Sequence, residues 1–227
     1  MKRVITALLA ALLVLSLAAC GSGVETKKLA GTWTCTIDVT DRMNAAAEQA
    51  LGLSAADGTA QMPLQLVLTV AEDGAYTLRY DSDAVRTALD AYAAALHPAA
   101  VESVYAAAEE QGFSREEYDA AMEKAGITMD DMVAAIFAGV DEEELLSLLT
   151  GRSAALTGYC RAESGQLYLA DTAADLAETA DCLSYTLSDG TMTWTDAQGE
   201  LSSQLTEQEQ ELLRVPLTWT KRAEESK

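Results

Sequence analysis

Hydrophobic and polar residues alternate along several short stretches of the chain, which is the pattern of a half-buried β-strand. The first stretch runs from Thr32 to Val39, and the second from Leu64 to Val70. Glu72-Asp73-Gly74 predicts a tight turn into a third strand over residues 76–80, because glycine readily adopts the positive φ that such turns need. A short alanine-rich helix is expected between the first two strands, at 41–51.

The periodicity changes at Asp83 and stays helical to residue 152. Apolar residues then recur every three or four positions, as on one face of an amphipathic helix. His97-Pro98 predicts a helix end, because proline disfavours the helical conformation of the residue before it, and a second helix is expected over 99–111. The pattern therefore predicts a helical insert at 83–152, built from four or five short helices.

Capping patterns indicate where the later helices of this insert begin. Ser114–Glu117 has the spacing of a capping box, and Thr128–Asp131 and Asp141–Glu144 repeat that spacing. One apolar stripe follows the second cap and is typical of a helix packed on a core, not of a cofactor pocket. Its members are Met129, Met132, Val133, Ile136 and Phe137.

Strand alternation resumes after the insert, with turns at Ser164-Gly165 and Asp189-Gly190. A polar connection at 171–181 has room for one helical turn. In the sixth predicted strand Leu183, Tyr185 and Leu187 are expected to point inward. The later strands are predicted at 156–161, 166–170, 183–187, 192–194 and 215–221.

Eight alternating strands in hairpin order predict an α+β fold. Its sheet is either an antiparallel up-and-down β-barrel or a strongly curved sheet, and closure into a barrel would remove exposed strand edges. The helical insert falls between strands 3 and 4, and the helices would cap the sheet.

The first 20 residues carry a targeting pattern. Lys2 and Arg3 precede an uncharged run from Val4 to Leu17, which is typical of a secretory signal and short for a membrane span. The run ends in Leu17-Ala18-Ala19-Cys20, which resembles the lipobox of bacterial lipoprotein precursors. Export is therefore expected.

The lipobox resemblance implies that residues 1–19 are removed as a signal peptide and that Cys20 carries the lipid. Residues 20–28 begin with Gly21-Ser22-Gly23 after the cysteine, contain nothing expected to pack, and predict a flexible tether. We therefore expect a protein anchored by lipid to the cell membrane, on its extracytoplasmic face.

Two segments resemble a known β-domain family. Gly31-Thr32-Trp33 resembles the Gly-x-Trp signature of lipocalin and lipocalin-like domains, and Tyr185–Gly199 is similar to the hairpins of small lipocalin-like lipoproteins. The resemblance covers residues 29–81 and 155–222, whereas the helical insert departs from the family pattern. It implies a lipocalin-like barrel.

The same resemblance implies a structural role for one tryptophan. Trp33 would plug the closed end of the barrel, with a basic residue of the last strand across its ring. Lys221 is the candidate in phase with the strand, and Arg222 is the alternative. The domain is then expected to span 29–222, followed by a short tail at 223–227.

The chain is strongly acidic, with 36 acidic residues, 15 basic residues and a formal charge of −21. Loss of Lys2 and Arg3 with the signal peptide changes that charge to −23. Such a chain repels nucleic acid and anionic lipid headgroups, so no nucleic-acid partner is expected. The acidity favours a solubilising surface over a dedicated site for cations or basic peptides.

Three cysteines remain once Cys20 is lipidated: Cys35, Cys160 and Cys182. An odd number cannot pair completely, so the sequence is compatible with one disulfide and a spare thiol or with three buried thiols. None lies in a Cys-x-x-Cys motif or beside a histidine, which argues against a metal or redox site.

No catalytic constellation stands out in the sequence. His97 is the only histidine, and it lies beside Pro98 at a predicted helix end. The acidic clusters occur at helix starts, where they favour the helix dipole, and none has the spacing of a calcium loop. We predict no catalytic residue, no metal site and no cofactor.

Three functions remain as hypotheses. The first is a binding module that holds a small apolar ligand or peptide, suggested by the barrel and by the aromatic residues of its strands. The second is an envelope interaction protein or structural lipoprotein that acts through the helical insert. The third is an acid-catalysed hydrolase, which would need two carboxylates converging in a cleft.

Overall fold

Two compact units make up the chain. The computed structural model describes residues 25–53, 60–137, 147, 155–177, 182–198, 211 and 213–223. The barrel unit comprises Met1–Cys35, Leu66–Tyr80 and Ala154–Lys227, and the helical unit comprises Thr36–Gln65 and Asp81–Ser153. The predicted signal peptide, Cys20 and the Asp141–Glu144 capping pattern lie outside the described residues.

Eight strands close into a barrel in sequence order. The strands are β1 (Gly31–Asp38), β2 (Pro63–Val70), β3 (Ala75–Tyr80), β4 (Leu156–Glu163), β5 (Gln166–Ala170), β6 (Cys182–Ser188), β7 (Thr191–Gln198) and β8 (Leu217–Lys221). Consecutive strands from β2 to β8 pair antiparallel, and β8 pairs antiparallel with β1. The predicted up-and-down barrel is therefore confirmed, including the position of the helical insert between β3 and β4.

One end of the barrel, here called the turn end, holds the start of β1, the end of β8 and three tight turns. The turns contain Gly74, Gly165 and Gly190, all with positive φ. Gly74 is sterically required, because a Cβ there would lie 2.4 Å from the carbonyl oxygen of Cys160. The turn between β2 and β3 is thus fixed by a close approach to β4.

Aromatic side chains fill much of the barrel core. Trp33 and Trp219 are fully buried, and the rings of Trp194 and Trp219 lie with centroids 4.7 Å apart. Such a ring pair adds roughly 0.5–1.5 kcal/mol beyond its area burial. The alternation of β2 agrees with the prediction, because Leu64, Leu66, Leu68 and Val70 are all buried.

Leu187 departs from the predicted inward set. Leu183 and Tyr185 are buried, but Leu187 is 37% exposed. Leu187 pairs with Met192 of β7 close to the turn at Asp189-Gly190, in the part of β6 beyond its pairing with β5, which covers Cys182–Ser184. Leu187 is in phase with Leu183 and Tyr185 but is not buried with them, because a period-2 pattern does not show where a strand loses one of its two neighbours.

The chain before β1 is packed, which corrects the predicted end of the tether. Residues 25–29 are helical, and Thr26 and Leu29 are 6% and 1% exposed. The backbone N–H of Ala162 donates to Thr26 Oγ1 at 3.0 Å, and Trp33 Nε1 donates to the Leu29 carbonyl at 2.7 Å. The expectation that residues 20–28 contain nothing that packs is wrong from Glu25 onward.

Four α-helices form the described part of the helical unit: α1 (Thr40–Leu51), α2 (Ser82–Glu110), α3 (Arg115–Ala125) and α4 (Met129–Phe137). No helix within the described ranges is long and apolar enough to span a lipid bilayer.

Helix α2 continues through Pro98, so the predicted break at His97-Pro98 is wrong. An internal proline costs about 3 kcal/mol, because it removes a backbone donor and crowds the preceding turn. Tyr92, Leu96 and Ala100 are buried on either side of it. Burial of a large apolar side chain contributes roughly 1.5–3 kcal/mol, so two such residues offset the proline.

The predicted caps within the described residues are confirmed. Ser114 and Glu117 form a reciprocal capping box at the start of α3. Thr128 and Asp131 make the same pair of contacts before α4, with the Thr128 N–H donating to Asp131 at 2.9 Å. Four of the five residues of the predicted stripe on α4 pack together; Val133 is buried in a cluster with Leu53 and Ala100. Met129, Ile136 and Phe137 pack partly buried against that cluster.

Candidate functional site

Trp33 and Lys221 meet where β1 and β8 pair. They are register partners, and Lys221 Nζ lies 5.3 Å from the centroid of the Trp33 ring. A cation within about 6 Å of an indole face is attracted by the ring quadrupole. Arg222 instead continues the pairing, with its backbone N–H donating to the Thr32 carbonyl at 2.8 Å.

Gly31 leaves room for this arrangement. Its φ is +125°, and a Cβ at this position would lie 2.7 Å from Lys221 Cε. Gly31, the glycine of the Gly-x-Trp segment, therefore leaves room for the aliphatic part of the Lys221 side chain. The Lys221 ammonium then lies over the Trp33 ring. The role of Trp33 as a plug stays a prediction drawn from the family resemblance.

A small apolar cavity lies among the core side chains of the barrel. Within the described part of the barrel, the interior cavity has a volume of about 40 Å³ and is lined almost entirely by apolar side chains. Ligand pockets are roughly 300–1,000 Å³, whereas about 10–15 Å³ of such volume suffices for one water molecule. The lining includes Leu29, Tyr76, Cys160, Met192 and Trp194.

Buried polar atoms accompany this apolar interior. Trp194 Nε1, Trp219 Nε1 and Glu25 Oε2 are inaccessible and have no hydrogen-bond partner among the described residues. Burial raises the pKa of Tyr185, and the nearby Glu25 and Cys160 raise it further. These groups place several polar atoms within the otherwise apolar core.

Cys35, Cys160 and Cys182 form no disulfide in the structure. Burial raises the pKa of Cys35 to about 11 and that of Cys160 to about 12. Cys182 is partly buried, and its Sγ lies 3.4 Å from Gln166 Oε1. Of the two alternatives left open by the sequence, one disulfide or none, the structure has none. The raised pKa values keep Cys35 and Cys160 protonated near neutral pH, and a protonated thiol is a poor nucleophile.

His97 contacts a single acidic side chain. Its Nε2 lies 3.1 Å from Asp130 Oδ1; the Asp130 side chain is largely exposed, whereas the His97 side chain is partly buried. Among the described residues, no group of three or more histidine, cysteine or acidic side chains is arranged to hold a metal ion. The contact links α2 to α4 at the surface.

Helix α3 has no buried residue, and large apolar side chains flank it on both sides. Phe113 before the helix is 49% exposed, and Ile127 after it is 43% exposed. Each occupies the position before a helix cap, where an apolar residue commonly packs on the first turns of the helix. An apolar residue directly before a predicted helix cap is therefore the sequence feature that could have pointed to Phe113 and Ile127.

Arg115 connects α3 to the end of α2. Its guanidinium donates to Glu102 at 2.8 Å and to Glu109 at 3.1 Å, and it lies 4.7 Å from the centroid of the Tyr105 ring. The Arg115 guanidinium lowers the pKa of Glu102. The Tyr105 hydroxyl donates to Asp119 at 2.9 Å, which raises the pKa of Tyr105. These polar contacts hold α3 in place without burying it.

The surroundings of α3 are acidic. Residues 83–152 contain 15 acidic and 4 basic residues, a formal charge of −11 with His97 neutral. The insert thus carries about half of the net charge of the whole chain. Phe113 and Ile127 are apolar positions on a strongly negative segment.

Comparison with known proteins gives no family assignment for this chain. No protein-family model matches the chain, and no curated protein or solved structure is significantly similar to it.

Proposed function

We propose that this protein is a non-enzymatic, lipid-anchored interaction protein of the cell envelope, and that its helical insert binds a partner protein on the extracytoplasmic side. One observation carries the proposal. Phe113 and Ile127 are about half exposed at the two ends of α3, none of whose residues is buried. Large apolar side chains that are left exposed can mark a surface used for protein–protein contacts.

The net negative charge of the insert indicates which kind of partner surface would fit it. Eleven acidic and three basic residues lie between Ser82 and Phe137. Complementary potentials speed association and suppress wrong partners, so the partner surface is expected to be apolar at its centre and basic at its rim. An anionic lipid surface would be repelled by the same charge.

The interior of the barrel supports a ligand-binding function less well. A cavity of about 40 Å³ within the described residues holds water-sized groups, not the apolar small molecule that the lipocalin resemblance suggests. The barrel then serves as the scaffold that carries the insert. The hydrolase hypothesis needs two carboxylates converging in a cleft, whereas Glu102 and Glu109 converge at exposed positions on the guanidinium of Arg115.

A photo-crosslinking experiment tests the insert. A photoreactive amino acid is placed in intact cells at position 113, at position 127 and, as a control, at the exposed Thr186 of β6. We expect one shared adduct from positions 113 and 127 and none from 186. A matched F113A/I127A variant, probed from Ala120, should lose that adduct while keeping its melting temperature. Equal adducts at 186, or an adduct that persists in the variant, would reject the proposal.

The anchor is tested separately. Cells are fed an alkyne fatty acid, and the protein is then examined for label and for sedimentation with membranes. We expect label and membrane association in the natural chain, and loss of both in C20S. Labelled C20S protein, or an unlabelled natural chain in the soluble fraction, would rule out anchoring through Cys20.

A further inference from the structure

A second, larger cavity lies on the barrel unit, outside the apolar interior. It is an open groove of about 360 Å³, within the size range of ligand sites. Its lining includes Gly31, Thr32, Thr69, Arg79, Lys221 and Arg222. The groove reaches from the turn end, at Gly31 and Lys221, along β2 and β3.

Most of the groove lies on the outer face of the strands, whereas Lys221, the register partner of the buried Trp33, is in phase with the inward residues of β8 and borders the groove at the turn end. Leu66 and Leu68 point to the core, so Val67 and Thr69 between them point to the opposite face. Arg79 is the register partner of Val67 on β3 and shares that face. Val67 is nevertheless only 1% exposed, so it provides an apolar floor beneath a polar rim.

The charge of the groove is the reverse of the charge of the chain. Among the described residues, three of the eight that line the groove are basic and none is acidic, whereas the whole chain has 15 basic residues in 227 and a net charge of −21. On a protein so rich in carboxylates, random placement would put fewer basic than acidic residues here. The grouping of Arg79, Lys221 and Arg222 therefore marks a site for an anion.

The basic side chains are held in position by the barrel. Lys221 lies over Trp33 and passes Gly31, where any side chain would block its stem. Arg79 donates one N–H to the Tyr80 carbonyl at 3.2 Å, and a guanidinium has five such donors. Thr32 and Thr69 add hydroxyl groups to the lining. Two guanidinium groups, an ammonium and hydroxyls match the several oxygens of a phosphate group.

We propose that this groove binds a phosphate group through Arg79, Lys221 and Arg222. Two sources share that chemistry: the headgroup of a membrane phospholipid and a free phosphorylated compound. The proposed anchoring of the chain at Cys20 favours the phospholipid headgroup. The described chain starts at Glu25, five residues after Cys20, and an extended chain spans at most about 3.6 Å per residue. The turn end would then lie within about 20 Å of the lipid.

The test uses the mature, lipidated protein in a neutral detergent without phosphate. Inorganic phosphate is titrated at constant ionic strength, with chloride as the reference anion, and binding is followed by the shift in melting temperature and by calorimetry. We expect saturable binding that weakens at least about tenfold in R79Q and in R222Q, the loss typical of one charged hydrogen bond. K124Q and R86Q remove the same charge from exposed positions of the helical unit and should bind phosphate as the natural chain does.

A second titration distinguishes the two sources. Short-chain phosphatidylglycerol and phosphatidylcholine are added below their micelle concentrations. Competition with phosphate supports the headgroup, whereas phosphate binding without lipid competition supports a free phosphorylated compound. Binding that is not saturable, or that falls equally in R79Q and K124Q, would overturn the site. Circular dichroism of each variant verifies that the fold is intact.

Discussion

Lys221 lies directly opposite Trp33 where the last strand of the barrel pairs with the first, and its ammonium group is 5.3 Å from the centroid of the indole ring. The pair therefore closes the barrel in two ways. The backbones complete the ladder between β8 and β1, and the side chains join a cation to a fully buried ring. Gly31 permits the contact by leaving the lysine stem free.

We predict that K221M lowers the free energy of unfolding by about 1 kcal/mol, because methionine keeps an apolar stem but loses the attraction of the charge to the ring. For a chain of this size the melting temperature should fall by about 2–4 °C. K221R should retain most of the stability. K28M removes a charge from an exposed residue close to the start of β1 and serves as the control. Equal melting temperatures for K221M and K28M would show that the contact does not stabilise the barrel.

The second prediction compares two glycines with the same backbone angle. Gly74 and Gly112 both have a φ of +89°, but a Cβ on Gly74 would lie 2.4 Å from the Cys160 carbonyl oxygen, whereas Gly112 has open space. G112A should cost about 1 kcal/mol for the positive φ alone. G74A should cost at least about 2 kcal/mol more, because backbone cannot move aside cheaply. Urea unfolding of both variants measures the difference, and equal values would contradict a steric role for the Cys160 carbonyl.

The barrel was predictable because its strands are half buried. Alternation in β2 and the turn glycines specify strands and hairpins locally, and eight such strands leave few antiparallel arrangements without exposed edges. The helix end at Pro98 was predicted wrongly, because a local pattern does not contain the burial that carries a helix through a proline. Leu187 is not buried as expected, because a local pattern does not show where a strand loses a neighbour. Thr26 was missed for a similar reason: its partner, Ala162, is 136 residues away.

The surfaces were less predictable than the fold. Phe113 and Ile127 each precede a helix cap, where an apolar residue is expected to pack on the helix, so the pattern indicates the position but not the exposure. The groove that we propose binds phosphate is lined by Arg79 together with Lys221 and Arg222. The last two residues lie more than 140 residues after Arg79 in the chain. Only closure of the barrel brings such positions together.

The third prediction concerns alkaline pH. Cys35 and Cys160 have pKa values of about 11 and about 12 in the folded chain, against 9.0 for an ordinary thiol. A group whose pKa is raised by folding stabilises the folded state fully below its unfolded pKa, and that contribution is lost as the pH rises towards the folded value. The free energy of unfolding should therefore decrease between pH 9 and pH 12.

The buried thiols can be separated from other groups in that measurement. Tyr92 and Tyr185 also have raised pKa values and contribute in the same direction. The C35A/C160A variant should consequently show a shallower loss of stability over this pH range, although its stability at pH 8 is lower because of the lost packing. An unchanged slope in the variant would contradict burial of the two thiols.

The last prediction tests whether the chain before β1 belongs to the domain. Thr26 is 6% exposed, and its hydroxyl oxygen accepts the buried N–H of Ala162 at 3.0 Å. T26V keeps the shape of the side chain but leaves that donor unpaired, which costs about 1–3 kcal/mol. T26S keeps the acceptor and should lose less. We expect urea unfolding to rank the natural chain above T26S and T26S above T26V, with amide exchange at Ala162 fastest in T26V. If T26V were as stable as the natural chain and Ala162 equally protected, Glu25–Leu29 would have to be assigned to the tether instead of the barrel.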